Sequence, residues 1–164
     1  MKKSKMTQAE ILFKQLDNTQ LAKIALEMLD CHVLITSGGY LSDKKSFLEN
    51  HNIPSSKYFD FIKLSENTEW NDPYIFSDEN LPYLGDDIIN SQEKTLILNA
   101  VDSTITRESK VYQFLAEMSK HGKRMIVVMY PDDIDTVKSL FGVVITLKMN
   151  KLRLQRVQKV ELIS

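Results

Sequence analysis

From residue 32 onward, short apolar runs alternate with segments in which apolar residues recur every three or four positions. His32-Val33-Leu34-Ile35-Thr36 reads as a strand stopped by Ser37-Gly38-Gly39, and Lys45 to Asn50 as a short helix ended at Asn52-Ile53-Pro54. Tyr58 to Lys63 alternates weakly, as a second strand does, and Thr95 to Asn99 is a third. Thr106 is placed to cap a helix carrying Val111, Phe114, Leu115 and Met118 at i, i+3, i+4 and i+7, closed by Gly122. Met125 to Tyr130 is an unbroken apolar run suited to the buried middle of a sheet. Pro131-Asp132-Asp133 leads into a short helix through Val137 and Leu140, ended by Gly142. Val143–Met149 and Leu152–Val160 then read as a hairpin around Asn150-Lys151. Before all of this, Thr7-Gln8-Ala9-Glu10 is a capping box. The helix behind it runs through Ile11, Leu12 and Leu16, breaks near Asp17-Asn18, and resumes through Leu21, Ile24, Ala25 and Met28. Residues 65–85 give the weakest signal and read as a loop entering a helix near Leu84–Ile89.

Strand and helix alternating from residue 32 to 149 predict an α/β fold: a mostly parallel sheet, helices on both faces, and a C-terminal β-hairpin. The 164 residues suffice for a single domain, 1–164, with residues 1–6 expected as a flexible start. The balance of 21 basic against 22 acidic residues gives no overall field for nucleic acid or an anionic membrane. No apolar run reaches the roughly 18–20 residues of a membrane helix, and no signal peptide follows the basic start, so a cytoplasmic protein is expected. The single cysteine, Cys31, excludes an intramolecular disulfide and a cysteine-based zinc site.

The stretch Gly39-Tyr40-Leu41-Ser42-Asp43-Lys44-Lys45-Ser46 matches the phosphate-loop pattern G-x-x-x-x-G-K-[ST] except that Lys44 replaces the second glycine. That glycine lets backbone approach phosphate closely, and a long side chain there intrudes. If nucleotide were bound, Gly39, Lys45 and Ser46 would be its contacts. Asp102, beyond the third strand, would be the magnesium partner, but Ser103 follows it where a water-activating glutamate belongs. The simpler meaning is a strand–turn–helix without nucleotide chemistry. His32, His51 and His121 share no ligand spacing, and Asp132, Asp133 and Asp135 suit a turn and helix start, so no metal is expected. Cys31 and His32 are adjacent and on a strand would point to opposite faces. Lys148, Lys151, Arg153, Arg156 and Lys159 alternate with Leu152, Leu154, Val157 and Val160; a solvated edge hairpin explains them, with a nucleic-acid strip as the alternative. No catalytic constellation emerges, and no enzyme is expected.

The order of segments resembles the RecA-like fold and, within it, the SulA-type cell-division inhibitors. The resemblance rests on Ile35-Thr36 ending the first strand, Leu41-Ser42 at the turn and Phe47-Leu48 in the helix. It continues in Asn52-Ile53-Pro54-Ser55-Ser56-Lys57 and in the strand from Leu96 to Val101 with its polar turn. Such proteins are non-enzymatic cell-division inhibitors, made in the DNA-damage (SOS) response, that bind FtsZ and block its polymerisation. The resemblance implies Ile35, Phe47 and Lys57 as partner contacts, no cofactor, and self-pairing as an option. Two departures stand out: Asp30 occupies a position where a basic residue is expected, and the tail Val160-Glu161-Leu162-Ile163-Ser164 lacks the family's protease-read ending. The hairpin also runs past the family's usual end. The rival expectation is a degenerate P-loop ATPase-related accessory subunit acting in DNA repair or transfer.

Overall fold

A computed structural model describes residues 16–37, 41–61, 75–130, 134–149 and 155–163. The elements in chain order are α1 (Asn18–Glu27), β1 (Val33–Thr36), α2 (Leu41–Glu49), β2 (Ser56–Asp60), α3 (Leu81–Ile89), β3 (Thr95–Asn99), α4 (Lys110–Ala116), β4 (Arg124–Met129), β5 (Val143–Met149) and β6 (Gln155–Leu162). The strands form one sheet in the order β2-β3-β4-β1-β5-β6. Five are parallel; β6 alone runs antiparallel, against β5.

β1, β3 and β4 are buried at every position, as their continuous apolar sequence requires when both faces are covered. Side chains alternate between two cores. On one face Leu34, Leu96, Leu98 and Val127 pack with Leu84 and Ile88 of α3 and Val111 and Leu115 of α4. On the other, Val33, Ile35, Ile97, Ile126 and Val128 pack with Ala22, Ala25 and Leu26 of α1 and Leu48 of α2. Burying each large aliphatic side chain contributes about 1.5–3 kcal/mol, so the two cores dominate the stability.

Several expected boundaries move. Asp17 is an N-cap: its carboxylate accepts from the Gln20 amide while Gln20 reaches back to the Asp17 amide, completing a capping box. The expected box at Thr7–Glu10 lies outside the described residues. α2 begins at Leu41, four residues before the helix expected from Lys45. β2 starts and ends earlier than the alternation at Tyr58–Lys63 suggested, because its register is set by pairing with β3. Thr106 does not cap α4. Ser109 is the N-cap, and the amides of Lys110 and Val111 are held by the distant Asp78 carboxylate. Around Val137 and Leu140 two single 3-10 turns, Ile134–Thr136 and Lys138–Leu140, replace the expected helix. Gly122 closes the 3-10 turn Met118–His121 with φ 69°, a left-handed conformation that favours glycine.

The amino-terminal ends of the strands are locked by two side chains. Arg124, almost fully buried, donates from Nε to the Cys31 carbonyl (2.9 Å), from Nη1 to Leu26 (3.1 Å) and from Nη2 to Ala25 (2.6 Å). Its cation thus satisfies carbonyls at the C-terminus of α1, where the helix dipole is negative. His32 Nδ1 accepts the Met125 amide at 3.0 Å, which places the ring proton on Nε2, 2.7 Å from Ser119 Oγ. Burial, then the nearby Arg124 charge, hold the His32 pKa below 6.5. A histidine with a depressed folded pKa favours the folded state fully above its unfolded pKa, and that advantage is lost as protons bind the unfolded chain first. The urea midpoint is therefore expected to fall as pH drops from about 6.5 toward the folded pKa. In His32→Asn, whose amide oxygen can still accept from Met125, that part of the fall should vanish; an identical pH profile in both proteins would contradict this assignment.

Candidate functional site

In sheets of this kind ligands bind at the carboxyl ends of the strands, where helices leave in different directions. Here α2 covers that end on the α1 side. Three neighbouring strands send polar or aromatic groups toward it: Tyr58 from β2, Asn99 from β3 and Tyr130 just after β4. Lys44 of α2 is fully buried, with Nζ 4.3 Å from the centroid of the Tyr130 ring. Lys45 Nζ stands 5.2 Å from the Tyr58 ring and 4.0 Å from the Glu49 carboxylate. The Asn99 amide donates to the Tyr58 hydroxyl, and burial raises the Tyr58 pKa, keeping the phenol neutral. Asn99 Oδ1 is buried and has no hydrogen-bond partner among the described residues.

Desolvating an ammonium costs several kcal/mol, and a desolvated cation–π contact returns about 2 kcal/mol. The face of Tyr130 therefore offsets part of that cost. Lys44 sits in the fourth position of α2, so its long stem turns back toward the strand ends as helical side chains do. The early start of α2 is the decisive geometric fact. It carries Lys45 and Ser46 into the second helical turn, away from the helix start where a phosphate loop presents its lysine and hydroxyl. Ser46 is exposed, and Lys45 belongs to a half-exposed i, i+4 ion pair with Glu49.

Of the residues proposed from sequence for nucleotide contact, Gly39 lies outside the described residues. Lys45 lies at the edge of the strand ends, over the Tyr58 ring and paired with Glu49, and Ser46 is exposed. Asp102 accepts from the Thr104 amide (2.9 Å) and hydroxyl (2.7 Å), which commits its carboxylate to its own turn. The last residue of β3 is Asn99, an uncharged amide. Nor are the three partner contacts implied by the resemblance brought together. Ile35 has no exposure and is part of the core, a correction to its reading as a contact. Phe47 packs against that same core and meets His51 edge-on at 4.9 Å; His51 in turn holds Glu27 of α1 at 3.0 Å. Lys57 is exposed on the other face of the sheet, over Phe59, in a groove of about 520 Å³ shared with Asp60, Asp87 and Ser91.

A second cavity, of about 340 Å³, lies at the opposite end of the strands, among Cys31, His32, Ser119, Lys123 and Arg124. Its Ser119–His32 contact is no nucleophile–base pair, because the tautomer fixed by Met125 leaves Nε2 a donor toward Ser119. Burial raises the Cys31 pKa, which keeps the thiol protonated. Cys31 packs on Gly142 so closely that an added Cβ would stand 2.8 Å from its own. Among the described residues no group of three or more His, Cys, Asp or Glu side chains could hold a metal ion. No helix there is long and apolar enough to cross a membrane.

Sequence reasoning missed Lys44 as the inward lysine, because the motif alignment gave that role to its neighbour. The signal was the strand-to-helix spacing: Thr36 to Leu41 is short for a phosphate-wrapping loop followed by Lys45.

No protein-family model and no curated protein matches the chain. Among solved structures it is similar to the VirB11 ATPase from the Brucella suis type IV secretion system, in complex with sulphate. The TM-score is 0.58 at 8% identity, and the match covers 97% of this chain and 59% of that one. The likeness is one of fold: a mixed α/β domain distantly similar to a P-loop ATPase.

The placement of the two lysines has a direct consequence. Lys44→Ala should lower stability by about 2–4 kcal/mol, since it empties a filled interior position, whereas Lys45→Ala should stay within about 0.5 kcal/mol. Urea denaturation of both variants checks this; a larger loss for Lys45→Ala would reverse the orientation of α2.

Proposed function

We propose that this chain is a RecA-like domain without nucleotide chemistry, working by binding as an accessory subunit related to P-loop ATPases. The observation that carries the reading is the layer beneath α2. The position where an ATPase of this fold keeps a magnesium-holding carboxylate is the neutral Asn99, bonded to Tyr58, and the inward lysine is folded onto Tyr130. Phosphoryl transfer relies on charge placed around the terminal phosphate. Among the described residues, an amide stands where that carboxylate would be and the buried lysine lies on an aromatic face, which supports a reading without a metal clamp.

The strand order, with β1 and its turn at the centre of the sheet and β4 between β1 and β3, supports the RecA-like assignment. The β5–β6 hairpin lies past the end of the SulA-type pattern. That, with Ile35 in the core, favours the accessory-subunit reading over the division inhibitor. A role in DNA repair or transfer, in the cytoplasm, follows from the same reading.

Two assays on the intact protein separate the readings. With ATP or GTP and magnesium, phosphate release should not exceed the buffer rate. Turnover that scales with protein and disappears in Lys44→Met would overturn the proposal. In parallel, GTP-driven FtsZ assembly followed by light scattering should proceed unchanged at equimolar protein. Suppression that Phe47→Ala relieves would instead assign the chain to the division inhibitors.

A further inference from the structure

We infer that the outer face of the β5–β6 hairpin is a docking strip for the phosphate backbone of duplex nucleic acid. The inference is independent of the reading of the site under α2. Residues 138–160 hold six basic side chains and no acidic one, in a chain whose net charge is −1. A bulge brings three of them, Lys148, Arg156 and Lys159, to one face of the hairpin; Lys151 and Arg153 lie outside the described residues.

Thr146 pairs with Lys159 but Leu147 pairs with Val157, so β6 carries one extra residue, Gln158, at that point. Without it, residues three apart on β6 would face opposite sides. With it, Val157 and Val160 both pack against the core on the α1 side. Arg156 and Lys159 consequently share the other face. Lys148 lies directly opposite Arg156 and two residues along from Thr146, so it shares that face too. Lys148, Arg156 and Lys159 are all exposed. The nearby carboxylate, Glu161, is 3.1 Å from Lys138 and 3.7 Å from Lys159, and its depressed pKa reflects first the hydrogen bond from Lys138. Among the described residues, no ion pair joins Lys148 or Arg156, at the other end of the strip, to a carboxylate.

Like charges directly opposite on an antiparallel pair destabilise the pair. A directly opposed Lys148–Arg156 pair is unfavourable in the free protein and becomes favourable once a polyanion lies across it. The pairs Thr146–Lys159 and Lys148–Arg156 are spaced about 7 Å along β5, about twice the axial spacing of phosphates on one DNA strand. The exposed strip has no aromatic side chain. That disfavours single strands, which are held by base stacking. What remains is sequence-independent contact with a double helix through its phosphates.

The test is fluorescence anisotropy of a labelled 20-base-pair duplex of arbitrary sequence, titrated with the full chain. Three neutralised phosphates give a slope of log K against log salt of about −2.7, or about 40-fold weaker binding at 200 mM than at 50 mM salt. Lys148→Gln/Arg156→Gln should weaken binding at least 10-fold while its thermal midpoint stays equal or rises, since the like-charge pair is gone. Lys159→Gln should flatten the salt slope by about one unit. No binding at 50 mM salt, equal binding by the double variant, or capture by phosphatidylserine vesicles with none by the duplex would each overturn the inference.

Discussion

The domain is organised around a buried lysine. Lys44 has no contact with solvent, and its ammonium lies on the face of Tyr130 at the carboxyl end of the most apolar strand. A charge in that position constrains everything near it: α2 must start early enough for the stem to reach back, and Tyr130 must leave β4 on the α2 side. Lys45, one residue on, is then carried out to Glu49 and the edge of the Tyr58 ring. Among the described residues, Lys44, Tyr58, Asn99 and Tyr130 stand where a ligand would meet the strands.

The opposite end of the sheet is fixed by a second buried cation used differently. Arg124 spends its donors on three carbonyls around the end of α1, and His32 is pinned as a neutral ring between Met125 and Ser119. These contacts tie α1, the entry to β1 and the start of β4 into one unit, with Gly142 admitting Cys31 at close range. Internal polar contacts therefore stand at both ends of the central strands. The remaining accumulation of charge is on the outer hairpin, where a one-residue bulge sorts valines inward and cations outward.

The sheet was legible because its strands are apolar runs of the right length. The runs His32–Thr36, Thr95–Asn99, Met125–Tyr130 and Val143–Met149 can be read from composition and stops alone, and the observed strands fall within one residue of them. Contacts that join distant residues were not. Asp78 caps α4 from 32 residues away, displacing Thr106, and no local pattern encodes that. The start of α2 was misplaced because glycines and a serine beside a lysine pair look like turn chemistry, while the helix depends on Lys44 and Leu48 finding the interior. For the site, sequence pointed to the strand and helix seen here and doubted a phosphate loop because of Lys44, but could not say that this same residue is the one turned inward. Ile35 was misread as a surface contact because resemblance carries no burial, and the alternation of β1 puts it in the core.

The central claim, that the carboxyl end of the sheet is filled by Lys44 and its neighbours, is tested most directly by backbone-amide NMR during titration with magnesium-ATP. The account predicts that the signals of Thr36, Lys44, Asn99 and Tyr130 stay in place to millimolar nucleotide. Saturable, magnesium-dependent shifts at those four residues would show that the space accepts a nucleotide and would contradict it.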